Sequence, residues 1–328
     1  MHCCGARAGH LLVAPVAFHH TVVHFWISAV SESLPIAFAA YPLLLSGAAL
    51  VWLISRGRRD RLDWAVLVLT SGSIMAFAFL AGSWAFTSYY LRYVFPGLFA
   101  VVAVFLFFRI WHGSPHGRAR VGGITVLRAS VFLLFSVLNA LAIASYYPSG
   151  ETLDVDFPLG SGTYYVLQGG GSAVTNPFHA LSGDRKAVDI VKLNRFGNRA
   201  DGIAPRALSA YEIFGERLHS PCQGPIDRVR AGLPDNPPGH PDTEQSEGNY
   251  VVVRCDEADI FMAHLKQGSI RVAPGEVVTA GQPLAEVGNS GNSLEPHLHI
   301  SASENGREIG LRFGGRSVAI NSVIRRGE

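Results

Sequence analysis

The chain changes character near Gly150. Before it, apolar residues come in long runs; after it, they come in short segments broken by turns. The charge-free stretches 33–55, 64–91, 93–108 and 129–150 are almost wholly apolar. A helix needs about 20 such residues to cross the hydrocarbon of a bilayer. Four membrane helices are therefore predicted, near 33–54, 64–85, 92–110 and 125–146. Tyr89, Tyr90, Tyr93 and Trp111 sit around the ends of the third, where amphipathic rings favour the water–lipid boundary. A further apolar run, 8–31, carries Pro15, His19, His20 and His24, which are costly in hydrocarbon. It reads as an interfacial helix or a poor span. His20 and His24 would share a helix face and read as interfacial polar residues rather than metal ligands. Beyond Gly150, segments rich in β-branched residues recur at 187–193, 225–229, 249–255, 259–265, 269–273, 283–287 and 297–303. Gly, Pro, Asn and Asp separate most of them, the pattern of an all-β sandwich or barrel. The fold expected is an α-helical transmembrane region, 1–150, followed by an all-β domain, 151–328.

Charge sharpens the division. The whole chain carries +2, but residues 1–150 hold ten arginines, no lysine and only Glu32, Asp60 and Asp63, for +7. Residues 151–328 hold the remaining 17 basic and 22 acidic residues, for −5. Arg56, Arg58, Arg59 and Arg61 follow the first helix, and Arg109, Arg118 and Arg120 the third; the loop between the second and third offers only Arg92. The positive-inside rule puts 55–63 and 110–123 in the cytoplasm and 151–328 outside, as part of a multi-pass cell-membrane protein. No Asp, Glu or Lys falls inside a predicted span, which argues against an ion pathway. Arg128, near a helix end, is expected to snorkel. The helices read as an anchor in the lipid bilayer. No cationic segment with a small-residue cleavage site marks a removable signal peptide. Basic residues form no aromatic-interleaved patch, so no nucleic-acid partner is expected.

Candidate chemistry lies in the second half. His297-Leu298-His299 follows Glu295-Pro296 and the turn-rich Gly288-Asn289-Ser290-Gly291-Asn292. On a strand, residues two apart share a face, so both imidazoles would enter one site. Upstream lie His264, Asp189 and His179. Three imidazoles with a carboxylate suit Zn²⁺, and a fourth suits proton transfer. A His-x-His pair by itself is as well explained as a polar strand face; its neighbours supply the weight. No His-Glu-x-x-His helix occurs, which excludes the common zincin arrangement.

An ordered set of motifs surrounds these residues: Ala187-Val188-Asp189-Ile190-Val191, Ser220-Pro221-Cys222-Gln223-Gly224, Gly248-Asn249-Tyr250, Ala263-His264-Leu265, Gly275-Glu276-Val277, Gly281-Gln282 and Pro296-His297-Leu298-His299-Ile300. Together they resemble the LytM/lysostaphin-type zinc metallopeptidase domain, a peptidoglycan endopeptidase family, over about 40% of the chain. The resemblance implies a compact antiparallel β fold. It implies His179, Asp189 and His299 as zinc ligands and His264 and His297 as catalytic imidazoles, their roles not divided. The implied substrate is the peptide part of bacterial peptidoglycan, hydrolysed at an amide bond. The alternative is a catalytically inactive LytM-like module that binds wall or activates a partner hydrolase. Any regulatory membrane partner is left unidentified.

Two departures from the family stand out. Its first His usually comes four residues before the Asp, where Arg185 stands here; His179 is ten before. Glu295 replaces the usual Gly before Pro296. His219 and His240 are alternative first ligands, read as solvated surface residues. Segment 232–247 reads as a long surface loop at a groove rim. The tract Gln168-Gly169-Gly170-Gly171-Ser172 reads as a flexible lead into the domain, or as a place where backbone approaches a ligand. Cys222 and Cys255 fall on segments that neighbour each other in the LytM-like fold. A disulfide and two separate buried thiols fit equally. Cys3 and Cys4 are juxtamembrane thiols of the kind that is acylated. Protease added to intact spheroplasts should degrade residues 151–328. Survival of that region until lysis would reverse the assigned topology.

Overall fold

The computed structural model describes residues 17–56, 61–112, 123–147 and 150–327. Cys3, Cys4 and the side chains of His20 and His24 lie outside the described residues. Four long helices come first: α1 (Ala17–Arg56), α2 (Arg61–Ala81), α3 (Leu91–Trp111) and α4 (Gly123–Ala144). Each contains a stretch long and apolar enough to cross a membrane, at Ser33–Ile54, Arg61–Ala81, Leu91–Trp111 and Val126–Ala144. The ambiguous apolar run thus continues into the first span as one helix from Ala17. Leu44, Val51, Val101, Phe105 and Leu133 stand exposed on the bundle, as lipid-facing side chains would. One expectation fails. Arg128 does not snorkel; it is buried and ion-paired with Asp63 across α2 and α4. The Asp63 carboxylate on the neighbouring helix offsets the guanidinium charge, which a reach to the interface would otherwise have to do.

Residues 150–327 form the β domain: β1 (Thr152–Val155), β2 (Gly162–Gln168), a short helix α5 (Pro177–Ser182), β3 (Val188–Leu193), β4 (Arg217–His219), β5 (Gly224–Arg230), β6 (Tyr250–Cys255), β7 (Ala258–Ala263), β8 (Val277–Val278), β9 (Pro283–Glu286), β10 (Leu298–Glu304), β11 (Arg307–Phe313), β12 (Arg316–Ser317) and β13 (Val323–Arg326). The main sheet runs β13-β2-β3-β10-β7-β6-β5-β8, with β11 pairing β10, β1 and β12; β4 and β9 form a second, two-stranded sheet. All pairings are antiparallel except β1 with β11. Segment 269–273 forms no strand. Val272 packs into the core, while the Ser269 and Arg271 amides bond to Lys266 and Leu284. Cys222 and Cys255 are bridged, with Cα atoms 5.8 Å apart.

Strand alternation divides the sheet into two faces. Tyr164 and Val166 of β2, Val188 and Ile190 of β3, and Leu298, Ile300 and Ala302 of β10 enter the main core. Their alternates point the other way. Tyr165, Val191 and Leu193 join a second cluster with Ala85 and Tyr89, from the connection between α2 and α3. The second face of the sheet therefore packs on one end of the helix bundle.

Polar groups close that junction. The last carbonyls of a helix run out of helical donors, and those at the end of α2 receive side chains: Phe79 from Arg92, Leu80 from Asn321 and Ala81 from Tyr41, while Ala78 accepts both the Gly82 amide and the Trp84 indole. Asn321 sits in left-handed backbone, φ +67°, accepts from Arg92 through its carbonyl at 3.2 Å and from the Tyr165 hydroxyl through its side chain. Arg92 is thus a buried tie between the two parts rather than a solvated loop cation. The Tyr89 amide donates to Gly197 (2.8 Å) and the Arg199 amide to Ala85 (3.2 Å). The glycine tract is no free lead: a Cβ on Gly170 would meet Ser145, at the end of α4, and Ala319. Replacing Asn321 by Leu should strand Leu80 and Tyr165 without their partners. The expected loss is about 1–3 kcal/mol, read as a lower melting temperature of the full chain in detergent. An unchanged melt would mean that the junction contributes nothing to stability.

Candidate metal centre

Register, rather than sequence proximity, assembles the site. β10 lies between β3 and β7, and His299 stands directly opposite Asp189 on one side and Ala263 on the other. His297 and His299 share the face that the core does not use. Ala263 ends β7, and His264 follows it in left-handed backbone, φ +60°. Few non-glycine residues adopt that conformation, and here it turns the imidazole into the groove. His179 arrives on α5. Asn176-Pro177 starts this helix and Gly183, φ +91°, ends it, the Pro-first, Gly-last asymmetry of helix ends. The helix takes up the extra residues between His179 and Asp189. Arg185, at the family's usual His position, is exposed, and its amide donates to Glu308.

His179 Nε2, Asp189 Oδ1 and His299 Nδ1 form a nearly equilateral triangle. Their separations are 3.4 Å (His179–Asp189), 3.2 Å (His179–His299) and 3.2 Å (His299–Asp189). All three residues are buried. In a tetrahedral zinc site with bonds of about 2.0–2.1 Å, ligand atoms stand about 3.3 Å apart, so the triangle has the size of one face of that tetrahedron. The nitrogen facing away from it is engaged in each case. His179 Nδ1 meets Asn176 Oδ1 at 2.6 Å, and His299 Nε2 meets Asp184 Oδ2 at 3.1 Å. These acceptors hold the ring protons outside and aim the lone pairs inward, the usual outer-shell arrangement of metal-binding histidines. The residues fit a divalent zinc ion.

The catalytic candidates stand beside this triangle. The His264 and His297 ring centroids are 4.8 Å apart. His264 Nδ1 meets the Ser290 carbonyl at 2.9 Å and His297 Nδ1 the Glu295 carbonyl at 2.8 Å. Each Nδ1 thus donates to backbone, leaving Nε2 as the basic nitrogen; that of His297 lies 3.5 Å from Asp189. The Ser290 acceptor is itself fixed. Its hydroxyl bonds to Leu265 and receives the Asn249 amide, while the Asn249 side chain ties Leu233 and Leu265 together. Both alternative ligands lie elsewhere: His219 on β4 and His240 on a separate cavity. Sequence reasoning missed Asn176 and Asp184. The Asn-Pro helix start and a carboxylate just before the metal strand were the available signals. Glu295 also has a larger part than turn shape. It forms a buried, bidentate pair with Arg199 (2.5 and 2.6 Å), whose guanidinium stacks 3.6 Å over Phe86 beside α2. Removing one partner of such a pair typically costs about 3–5 kcal/mol.

Electrostatics follow from this geometry. Burial opposes the Asp189 charge, yet the imidazoles of His179 and His297 hold it well below the usual carboxylate range. Burial drives His264 well below its ordinary value, and the neighbouring imidazoles of His297 and His299 add to this. Burial also opposes charge on His299, but hydrogen bonds to Asp184 and Asp189 push it up to about 9. In the metal-free protein a proton therefore occupies the position the ligands share. Because this pKa is raised above 6.5, its stabilisation is fully present below pH 6.5 and is lost as pH rises through about 9. Zinc must displace that proton. Competition titrations against a chelator should show apparent zinc affinity rising about tenfold per pH unit up to about pH 9, then levelling. A flat profile across that window would show that no such proton is displaced.

Comparison with known proteins finds a family match within the β domain. Residues 235–310 match peptidase family M23, a stretch that includes His264, His297 and His299 and stops short of His179 and Asp189. A zinc-containing peptidase from Vibrio cholerae is 21% identical over 47% of this chain, with a TM-score of 0.29. The chain spans 39% of that protein. A putative M23 peptidase from Pseudomonas aeruginosa is 18% identical, covering 60% of this chain and 62% of its own, TM-score 0.28. The catalytic domain of a prophage-encoded M23 protein from Enterococcus faecalis is 23% identical, covering 30% and 74%, TM-score 0.22. On the strength of the family match, residues 235–310 of the β domain are assigned to peptidase family M23.

Proposed function

We propose that this protein is a membrane-anchored zinc endopeptidase that hydrolyses amide bonds in the peptide part of peptidoglycan. Residues 1–150 are the multi-pass anchor and 151–328 the extracytoplasmic peptidase domain. The observation that carries this reading is the His179, Asp189 and His299 triangle, sized for zinc and flanked by two imidazoles that each present Nε2. An inactive module of the same fold would have no need to keep all five groups aligned.

Zinc held by His179, Asp189 and His299 would supply Lewis acidity at the scissile carbonyl and lower the pKa of water toward ~7. The chain's own residues manage the protons. Held neutral by its burial, His264 accepts a proton from the attacking water through Nε2. His297 lies on the other side of the same opening, beside Asp189, and is placed to stabilise developing negative charge and to protonate the leaving amine. The balance is that of hydrolysis: water oxygen bonds to the carbonyl carbon, the C–N bond breaks, and the amine departs with a proton.

The zinc-loaded full chain in detergent, incubated with purified sacculi, should release new free amines. His299→Ala should abolish both metal and activity. His264→Ala and His297→Ala should keep zinc while turnover falls about 10²–10⁴-fold. Glycan cleavage alone, or amines appearing only when a second hydrolase is added, would replace this reading with that of a wall-binding or activating module.

A further inference from the structure

The groove that holds the imidazoles is not bounded by the β domain alone. Its volume is about 830 Å³, and Leu34, Pro35, Phe38 and Phe86 line it together with His297 and His299. Leu34, Pro35 and Phe38 belong to the span Ser33–Ile54. The end of the bundle against which the sheet packs is the end where that span starts, since Leu80, Ala85, Tyr89, Arg92 and Tyr146 all touch the domain. The site therefore opens at the rim of the bilayer, with one wall made of a membrane helix. Its ligand-bearing helix α5 is apolar where it meets that wall. Phe178 packs edge-on against Phe38 at 5.9 Å, and Leu181, one turn further, is 88% exposed. Ile36, two residues from Phe38, is also exposed. Large apolar side chains grouped beside a span make a surface that favours lipid or a lipid-like ligand. A polymer strand arriving from the aqueous wall gains little from such a surface, whereas a hydrocarbon chain gains along its whole length.

We propose that the groove takes a peptide carried on a lipid anchor. Its hydrocarbon chain lies along α1 at Leu34 and Phe38 and beside Phe178, and its peptide amide reaches the His264 and His297 end. This rests on the peptidase reading above for the reaction, and specifies its substrate as membrane-tethered. The chemistry remains amide hydrolysis, with both fragments accounted for by one water.

The test uses the zinc-loaded full chain in phospholipid nanodiscs and a photoreactive wall-derived peptide in three forms: free, hexadecanoylated, and linked to a polyprenyl chain. Binding is read by competition and by mapping of the labelled residues, so it does not depend on turnover. The lipidated forms should bind at least about tenfold more tightly than the free peptide and label the 34–38 segment. The polyprenyl and acyl arms, compared with each other, identify which source of chain is preferred. In Leu34→Ser and in Phe38→Asp the ratio of lipidated to free binding should fall about tenfold; two variants guard against misfolding in one. Equal binding of all three forms, or a ratio unmoved in both variants, would overturn the proposal, and so would labelling of 34–38 by plain phospholipid probe that the lipidated peptide fails to displace. Amide cleavage of sacculi and of the lipidated peptide, measured in parallel, separates the two ideas. Amide cleavage without lipid preference leaves a wall peptidase and removes this inference; lipid preference without any amide cleavage keeps the ligand and removes the peptidase.

Discussion

Everything in this protein hangs on one sheet with two different surfaces. Because strand side chains alternate, β2, β3 and β10 send Tyr164, Val188, Ile190, Leu298 and Ile300 into the core and Tyr165, Asp189, Val191 and His299 to the opposite face. A slip of one residue in β10 would bury two histidines among aliphatics and expose Leu298 and Ile300. The burial of those aliphatics, each worth about 1.5–3 kcal/mol, is therefore also what fixes the register of the metal-binding face. Packing energy and site geometry are the same constraint seen from two sides.

The face opposite the core has two tenants, the candidate metal centre and the helix bundle. Tyr165, Val191 and Leu193 pack on Ala85 and Tyr89, a few residues along the same strands from Asp189. The junction is polar as well as apolar because α2 ends there, and its last carbonyls need donors where water is scarce. Trp84, Arg92, Asn321 and Tyr41 supply them. Glu295 extends the connection into the groove through Arg199 to Phe86. The turn that presents His297 is thus linked by a buried ion pair to the segment that follows the second span.

Within the centre, Asn176 and Asp184 hold ring protons outward, so two lone pairs and a carboxylate converge on one point. Such convergence is unfavourable unless a positive charge sits in the middle. A proton on His299 serves in the metal-free protein, and a divalent ion satisfies all three donors at once. His264 lies close enough to feel that charge and is kept neutral by burial, the state in which an imidazole can accept a proton.

Much was legible beforehand, for physical reasons. Twenty-residue apolar runs have few fates other than membrane helices, and β-branched segments between turns have few other than sheet. His-x-His on such a segment must share a face. What stayed hidden depends on contacts between distant residues. The weakly patterned strands β11 and β13, rich in charge, acquire their identity from the strands they pair with, and segment 269–273 makes only isolated bonds to β9, from the Arg271 amide to Leu284 and between Ser269 and Glu286, rather than a ladder. Arg128 and Arg92 looked like interfacial cations until Asp63, Phe79 and Asn321 were placed next to them. Asp184 and Asn176 carry no motif; they matter because a short helix returns His179 to β3. The sequence by itself determined which residues could bind metal and which segments could cross a bilayer, since composition and period act locally. Only the tertiary structure decided that the metal centre faces the helices, because that follows from which side of the sheet is left over once the core has taken the other.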